Sequence, residues 1–505
     1  GREVCIFFDN DHPKTNKQTG QQIPPPAYSG MKRTVGILQS ARNPPQAIRY
    51  LYWGEEGYNP QLENGRDVRD VLGISDRPQD RLRGYETLYD DLEPVPEEWS
   101  TEDPTTPSVE PVPCNSYSEV KQAWEKALLW TDGLNTALVV MLAAAVSTDF
   151  VGDQLWVKVI GPPSCGKSTL CEAVSVSNEV VAKSTIRGFI SGFTGGSKDN
   201  SLISKCMGKT LVVKDGDTLL QSPNLGIILS EARDLFDGVI RADYRNGVVR
   251  DYEGIRMTFI LCGTSSLRSI DNSELGERFL DFVVMEDIDS SLENEVLLRS
   301  LQQQRQVMGQ RVTDDKSSGY PEELLKAMQL KGGYLEHLKT GLKTNFPYTE
   351  TEDDIKFCAA LGKFTAFTRA RPSKVQEENQ EREFGTRLSL QFLRLMSFVS
   401  LVMGKAQPDD EVKNIIRKVA LDTSRGMTLQ IIKYLYYEGS AQSRAITLYN
   451  NLGDSKSKEL LRFLVGIKAL RATRTKNRGV SAQVEYKLSK EMKRLCDLVS
   501  LSQED

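Results

Sequence analysis

One run of residues constrains this 505-residue chain more than any other: Gly161-Pro162-Pro163-Ser164-Cys165-Gly166-Lys167-Ser168-Thr169. The spacing is that of a phosphate loop, G-x-x-x-x-G-K-S. Its flanks suit it: Leu155 to Ile160 reads as a buried strand, and Thr169 to Val174 is compatible with a helix. Gly161 and Gly166 let the backbone curl so that successive N–H groups point at phosphate oxygens. The helix that follows aims its positive end at the same oxygens. Lys167 reaches the outer phosphates, and the Ser168 hydroxyl faces Mg²⁺. The stretch Gly161 to Thr169 is therefore expected to cradle a nucleoside triphosphate, ATP in the first instance, together with Mg²⁺.

The length predicts three or four domains. A net charge of -5 with 26% charged residues leaves no global excess of base, so any nucleic-acid surface has to be local. The eight cysteines are scattered without a C-x-x-C pair, and there are two histidines, His12 and His337. That pattern argues against structural zinc and against a disulfide framework. The longest apolar run, Leu138 to Val146, falls short of a membrane span, and no signal peptide opens the chain. The expectation is an intracellular, reducing compartment and no membrane partner. The chain opens on Gly1 and enters a strand at Val4, which reads as a fragment of a longer protein.

Residues 1–85 read as a small α/β unit: a strand from Val4 to Phe8, a helix from Met31 to Ala41 and a strand from Ala47 to Trp53. Asp9-Asn10-Asp11 closes the first strand. Carboxylates at strand ends build Mg²⁺ sites, which makes Asp9 and Asp11 candidate ligands; a plain polar turn is the other reading. Residues 86–116 are rich in proline and acid and read as an extended or disordered linker. Residues 117–149 are helical, 150–290 form the nucleotide core, and 291–407 are almost wholly helical, with a broad apolar face from Leu388 to Val399.

Within the core, Thr210 to Val213 is a second apolar strand, followed by Asp215 and Asp217. Asp215 is the candidate for the water shell of Mg²⁺ and Asp217 for the base, unless the two are a surface pair. Met257 to Cys262 is a third strand, after which Thr264 is placed to touch the γ-phosphate or its water, or simply to make a turn. Arg278 precedes a last strand at the edge of the core, where it either reaches a neighbouring subunit's ATP or is an ordinary surface arginine. Arg245-Asn246-Gly247 sits in a hairpin flanked by Arg241 and Arg250 with Tyr244 and Tyr252, fit either for tracking phosphates or for solvent.

Residues 408–505 end in three helices (Thr428 to Glu438, Ser443 to Leu452, Asp454 to Leu470), a basic turn over 471–479 and a return strand from Val484 to Leu488. That order predicts a winged helix. Lys456, Lys458, Arg462, Lys468, Arg471, Arg474, Lys476 and Arg478 favour DNA phosphates there; protein packing is the alternative.

The phosphate loop, Asp215, the hairpin, Thr264 and the Gly276-Glu277-Arg278-Phe279 segment together resemble an AAA+ ATPase of the helicase branch. They are similar to minichromosome maintenance helicases and to the helicase halves of phage and plasmid primase-helicases. The resemblance implies that Arg278 acts in trans and that Arg387, in Gly385-Thr386-Arg387, is the lid arginine, with Arg394 as fallback. It also implies that Arg245 and Asn246 contact DNA at the hairpin tip. Residues 1–85 resemble the second half of a Toprim domain, with Asp9-Asn10-Asp11 as its D-x-D and Asp67 to Asp70 as a later acidic segment; the family's upstream glutamate is absent. The implied whole is an α/β protein: an AAA+ core with helical lid, a partial Toprim-like unit and a C-terminal winged helix. It would be a hexameric, ATP-driven DNA helicase in a bacterial host's cytoplasm, partnered by a primase or initiator. The alternatives are an ATP-switched origin-binding initiator or loader that does not translocate, and a Toprim-type nuclease coupled to an ATPase.

Overall fold

A computed structural model describes residues 3–15, 22–23, 25, 27–28, 31, 34–35, 38, 45, 47–54, 58–65, 92–95, 109–177, 179–192, 201–244, 247–270, 278–285, 290–308, 320–341, 350–372, 382–424, 426–475 and 483–501. Its contacts divide the chain into two compact units: residues 1–106 with 191–201 and 243–249, and residues 107–190, 202–242 and 250–505.

The first unit holds β1 (Glu3–Ile6), the short antiparallel pair β2 (Lys14–Thr15) and β3 (Gln22–Ile23), β4 (Ala47–Leu51) and β5 (Leu92–Pro94). β1 pairs in parallel with β4, which pairs antiparallel with β5. Phe8, Met31, Val35, Tyr50, Leu51, Trp53 and Leu92 form its core, and the Trp53 indole N–H donates to the Phe8 carbonyl at 2.7 Å. Asp67 and Asp70 lie outside the described residues.

The second unit is built on a parallel sheet. In chain order it contains α1 (Tyr117–Ala127), α2 (Asp132–Ser147), β6 (Trp156–Ile160), α3 (Lys167–Val174), β7 (Val180–Lys183), α4 (Leu202–Cys206), β8 (Thr210–Val213), α5 (Gly216–Leu220) and α6 (Leu225–Phe236). The two-stranded sheet β9 (Val239–Asp243) and β10 (Val249–Glu253), then β11 (Thr258–Gly263) and β12 (Phe279–Val283), follow. The five-stranded order is β12-β6-β11-β8-β7, all parallel. This is a phosphate-loop-like α/β core, with the loop strand in the interior.

Strand alternation divides the sheet's side chains between two cores. Val157, Val159, Val212, Ile260, Leu280 and Phe282 enter one; Trp156, Ile160, Leu211, Val213, Phe259 and Val283 enter the other. After β12 come α7 (Ser290–Val307), α8 (Glu322–Gly341), α9 (Glu352–Arg369), α10 (Thr386–Val402) and α11 (Asp410–Thr423). Then come α12 (Met427–Glu438), β13 (Ala441–Gln442), α13 (Ser443–Tyr449), α14 (Asp454–Gly466), β14 (Leu470–Thr475), β15 (Gln483–Leu488) and α15 (Lys490–Leu498). The first core continues from the helices of 117–149 through α8 to Leu501, while α7 contributes no described residue to it.

Three details explain the assembly. The outer edge of β12 is covered by α11: the N–H groups of Asp281 and Val283 donate to Thr423 Oγ1 (3.0 Å) and Asp422 Oδ2 (2.8 Å), which satisfies these two edge donors. The last residues of the expected linker are packed, with Val109 and Cys114 buried and the Val112 N–H donating to Gln329 O. That approach requires glycine: a Cβ on Gly333 would sit 1.8 Å from Val112 O. The carbonyls at the end of α2 are capped by two arginines, as a basic group at a helix C-terminus can do. Arg394 donates to the carbonyl of Ser147 (2.8 Å), the last residue of α2, and Arg256 to that of Thr148 (3.4 Å), its C-cap.

At the carboxyl end, β13, β15 and β14 form an antiparallel sheet in that order beside α12, α13 and α14. Here the structure corrects one expectation. Arg471 and Arg474 lie in strand β14, not in a turn. The left-handed Lys468 (φ 64°) ends the helix, and buried Leu470 starts a strand paired with Leu488. Among the described residues no helix is long and apolar enough to cross a membrane.

Candidate functional site

The phosphate loop leaves β6 and enters α3. Ser164 (φ 62°) and Gly166 (φ 91°) take left-handed backbone, and Gly166 begins α3 without a side-chain cap. This bend turns successive N–H groups into one concavity, a nest suited to an anion. Lys167 is 7% exposed, and its ammonium donates to the carbonyls of Gly161 (2.8 Å) and Pro162 (2.6 Å). Ser168 is exposed and Thr169 half-buried at the helix start. A cavity of about 290 Å³ runs along Pro162 to Thr169 and is walled by Leu128, Leu129, Leu134, Met285 and Leu297. Those apolar walls suit the flat face of a base.

β11 lies between β6 and β8, so Thr264 emerges between the loop and the acids that follow β8. Asp217 accepts from the Thr264 N–H (2.9 Å), the Thr264 hydroxyl (3.0 Å) and the Ser266 hydroxyl. Partial burial pushes its carboxyl up. The bonds from Ser266 and Thr264, with the charge of Lys167, outweigh burial and hold it below the usual carboxylate range. Asp215 is exposed and is used locally: it caps α5, accepting from the N–H (3.0 Å) and hydroxyl of Thr218. Of the two acids, Asp217 is the one joined to Thr264 and acted on by Lys167. Among the described residues no group of three or more His, Cys, Asp or Glu could hold a metal unaided. The Asp217 carboxylate and Ser168 hydroxyl are hard oxygen donors, a set that fits Mg²⁺ shared with phosphate oxygens.

Arg278 and Arg387 are at the other end of the sheet. Phe279 pairs with Trp156 and Val283 with Ile160, so Arg278 is level with Leu155. The loop begins six residues further along, roughly 20 Å away at about 3.3 Å per residue. Arg278 is therefore beyond reach of its own chain's phosphate loop. It is ion-paired with Asp237 (2.6 Å), as is Arg387 more loosely (4.0 Å). The Arg394 side chain is taken up in capping α2.

Of the nucleic-acid candidates, Arg245, Asn246, Lys476 and Arg478 lie outside the described residues. Arg241 is bound to Asp251 (3.0 Å) and Glu253 within its own hairpin, and Arg250 is half-buried. The hairpin strands carry Asp243, Asp251 and Glu253 against Arg241 and Arg250, so their own charge does not attract phosphates. Arg471 and Arg474 are exposed, as are Lys458 and Arg462 on α14. In the first unit Asp9 is exposed and Asp11 Oδ2 accepts from the Ala27 N–H (3.2 Å). The residue between them is the structural one: buried Asn10 accepts from the Asn59 N–H (2.6 Å) and donates to the Asn59 and Glu63 carbonyls.

Sequence pattern alone does not mark Ser266, Asp237 or the apolar cavity walls. Ser266 follows Thr264 in a Thr-Ser-Ser run that hints at a hydroxyl cluster; Asp237 gives no sequence signal.

No protein-family model matches the chain, and no curated protein matches it. Among solved structures, the A form apo structure of the NrS-1 C-terminal region is similar at 11% identity, covering 75% of this chain and 78% of that one, with a TM-score of 0.27. A second structure of that region, residues 305–718, gives 11% identity, 76% and 77% coverage and a TM-score of 0.26. The Aeropyrum pernix ORC1 protein in complex with DNA gives 11%, 72% and 91%, and 0.20. Superpositions this loose carry no weight for fold or activity.

Proposed function

We propose that this chain is an ATP-hydrolysing motor of the AAA+ helicase type that works on DNA as a ring, the motor part of a phage or plasmid primase-helicase. The observation that carries the reading is the Asp217–Thr264 link beside the phosphate loop. It sets the acid against the polar end of the strand beside the loop strand, which supports reading loop, acid and strand end as one hydrolytic centre.

ATP places its base against Leu128, Leu129 and Leu297 and its phosphates on Gly161 to Thr169. Lys167 exchanges the Gly161 and Pro162 carbonyls for phosphate oxygens, which neutralises their charge. Mg²⁺, when bound, neutralises further phosphate charge, and Ser168 with Asp217 would hold it. The bonds of Asp217 to Thr264 and Ser266 also suit it to orienting the attacking water. Asp215 contributes by fixing the turn into α5. Arg278 serves the next subunit's phosphates, because its own lie out of reach.

The C-terminal helices with β13, β15 and β14 act as a winged helix whose Arg471, Arg474, Lys476 and Arg478 hold DNA phosphates; Arg245 and Asn246 supply the hairpin's contact. The test is strand displacement on a forked duplex with ATP and Mg²⁺, comparing the parent with Lys167→Ala. Displacement lost in the variant supports the motor. DNA-stimulated hydrolysis without displacement supports an initiator or loader. Mg²⁺-dependent nicking that depends on Asp9 and Asp11 supports the nuclease reading.

A further inference from the structure

Asp237 is one carboxylate facing two guanidinium groups. Its Oδ2 accepts from Arg278 Nη2 at 2.6 Å, while Oδ1 stands 4.0 Å from Arg387 Nη2. Both guanidinium groups also lie over Phe236, each 5.6 Å from the ring centroid. The two arginines differ in exposure: the Arg278 side chain is 9% exposed, that of Arg387 39% and that of Asp237 53%. The same helix attends to both, since Gln391, one turn after Arg387 on α10, donates its amide to the Arg278 carbonyl (3.3 Å).

From this arrangement we infer that Asp237 is a latch that keeps Arg278 inside its own subunit, with Arg387 as the replacement that lets the latch open. The inference rests on the reading of Arg278 as the arginine that serves a neighbour's phosphates. An arginine with this little exposed surface cannot meet a neighbour without leaving its carboxylate. Leaving would unpair the Asp237 carboxylate, which at 53% exposure is partly hydrated, so the cost is modest. Arg387, one small side-chain movement away from hydrogen-bonding distance of the same carboxylate, offsets it. Phe236 offers its ring face to either guanidinium throughout. The exchange conserves charge: one carboxylate and one arginine remain behind, and one arginine goes to the anionic phosphates. Arg278 release is then coupled to subunit association, since only a neighbour's phosphates supply its new partner.

The latch makes two predictions of opposite sign. Asp237→Asn removes the holding charge with little change of shape, so hydrolysis should reach half its plateau at lower protein concentration, about tenfold lower for 1.4 kcal/mol of lost restraint. Arg387→Ala removes the replacement, so the midpoint should move to higher protein concentration. Asp237→Glu restores a carboxylate and should return the midpoint towards the parent's. A residue that merely braces the fold would shift none of these in opposite directions.

The experiment is a titration of ATPase rate against protein concentration at saturating ATP for the parent, the three variants and Arg278→Ala, with a thermal melt of each. If Arg278→Ala turns over at the parent rate, the neighbour-serving role itself fails. If Arg278→Ala is inactive but Asp237→Asn leaves the midpoint unmoved or raises it, the latch alone is wrong. If Asp237→Asn melts well below the parent, the Arg387→Ala midpoint decides: a rise, with Asp237→Glu near the parent, upholds the latch, and anything else overturns it.

Discussion

Asp217 takes both the backbone N–H and the hydroxyl of Thr264, at 2.9 and 3.0 Å, so an acid after β8 and a threonine after β11 behave as one group. Replacing Asp217 by Asn leaves an amide that still accepts but no longer carries charge beside Lys167. Hydrolysis should fall on the order of 100-fold in kcat, the size seen when one preorganised electrostatic group is lost from a reaction centre. Steady-state ATPase measurement with KM for ATP determined separately checks it; a kcat within a few-fold of the parent would remove Asp217 from the centre.

The same carboxylate gives a pH signature. Its hydrogen bonds and Lys167 hold it below the 3.8 of an ordinary aspartate, so the folded state favours the ionised form. The stability this contributes is fully present above that ordinary value and is lost as the pH falls through the lower, folded one. Melting temperature between pH 5 and pH 2.5 should therefore decline less steeply for Asp217→Asn than for the parent. Parallel curves would show that the bonds add nothing to folding.

Asp215 should behave differently. As the cap of α5 it satisfies the Thr218 N–H, and Asp215→Ala should lower stability by about 1 kcal/mol, the usual worth of an N-cap. Its effect on kcat should be smaller than that of Asp217→Asn. A chemical-denaturation midpoint and the same ATPase assay measure both; the reverse ranking in kcat would return the leading role to Asp215.

The contrast between these acids illustrates where sequence reading stops. The strands around the loop are continuous apolar runs because both sheet faces are buried, and such runs can be read directly. β7 gives no such run, being a four-residue edge strand of half-buried residues. Which of two acids two positions apart faces the loop depends on where β8 ends and α5 begins, and side-chain capping, not periodicity, decides that. The apolar spacing of α10 likewise announces a buried face without naming its partners, which here include α2, α9 and α11 in one core. Asp237 shows the limit most plainly, since its meaning comes from Arg278 and Arg387, 41 and 150 positions away.

Arg278→Ala should retain nucleotide binding, because the residue is a sheet's length from its own phosphate loop. Turnover should fall by about 1,000-fold or more, the range for an arginine that stabilises phosphoryl-transfer charge from outside the site. Fluorescent-nucleotide titration beside an ATPase assay separates the two. Weakened binding in the isolated subunit would mean the arginine acts through the fold instead.

Lys158 and Asp281 face each other across β6 and β12 at 2.9 Å, 4% and 1% exposed. A charge pair this dry has given up its hydration, and each charge compensates the other. Lys158→Met strands Asp281 in the sheet, and Asp281→Leu strands Lys158; either should cost about 3–5 kcal/mol. The double replacement leaves two apolar side chains in an otherwise apolar layer beside Trp156 and Ile160 and should recover most of that loss. Urea midpoints for the four proteins close the cycle. If the two single losses simply add in the double variant, the charges are not coupled, and the backbone ladder joins β12 to β6 without their help.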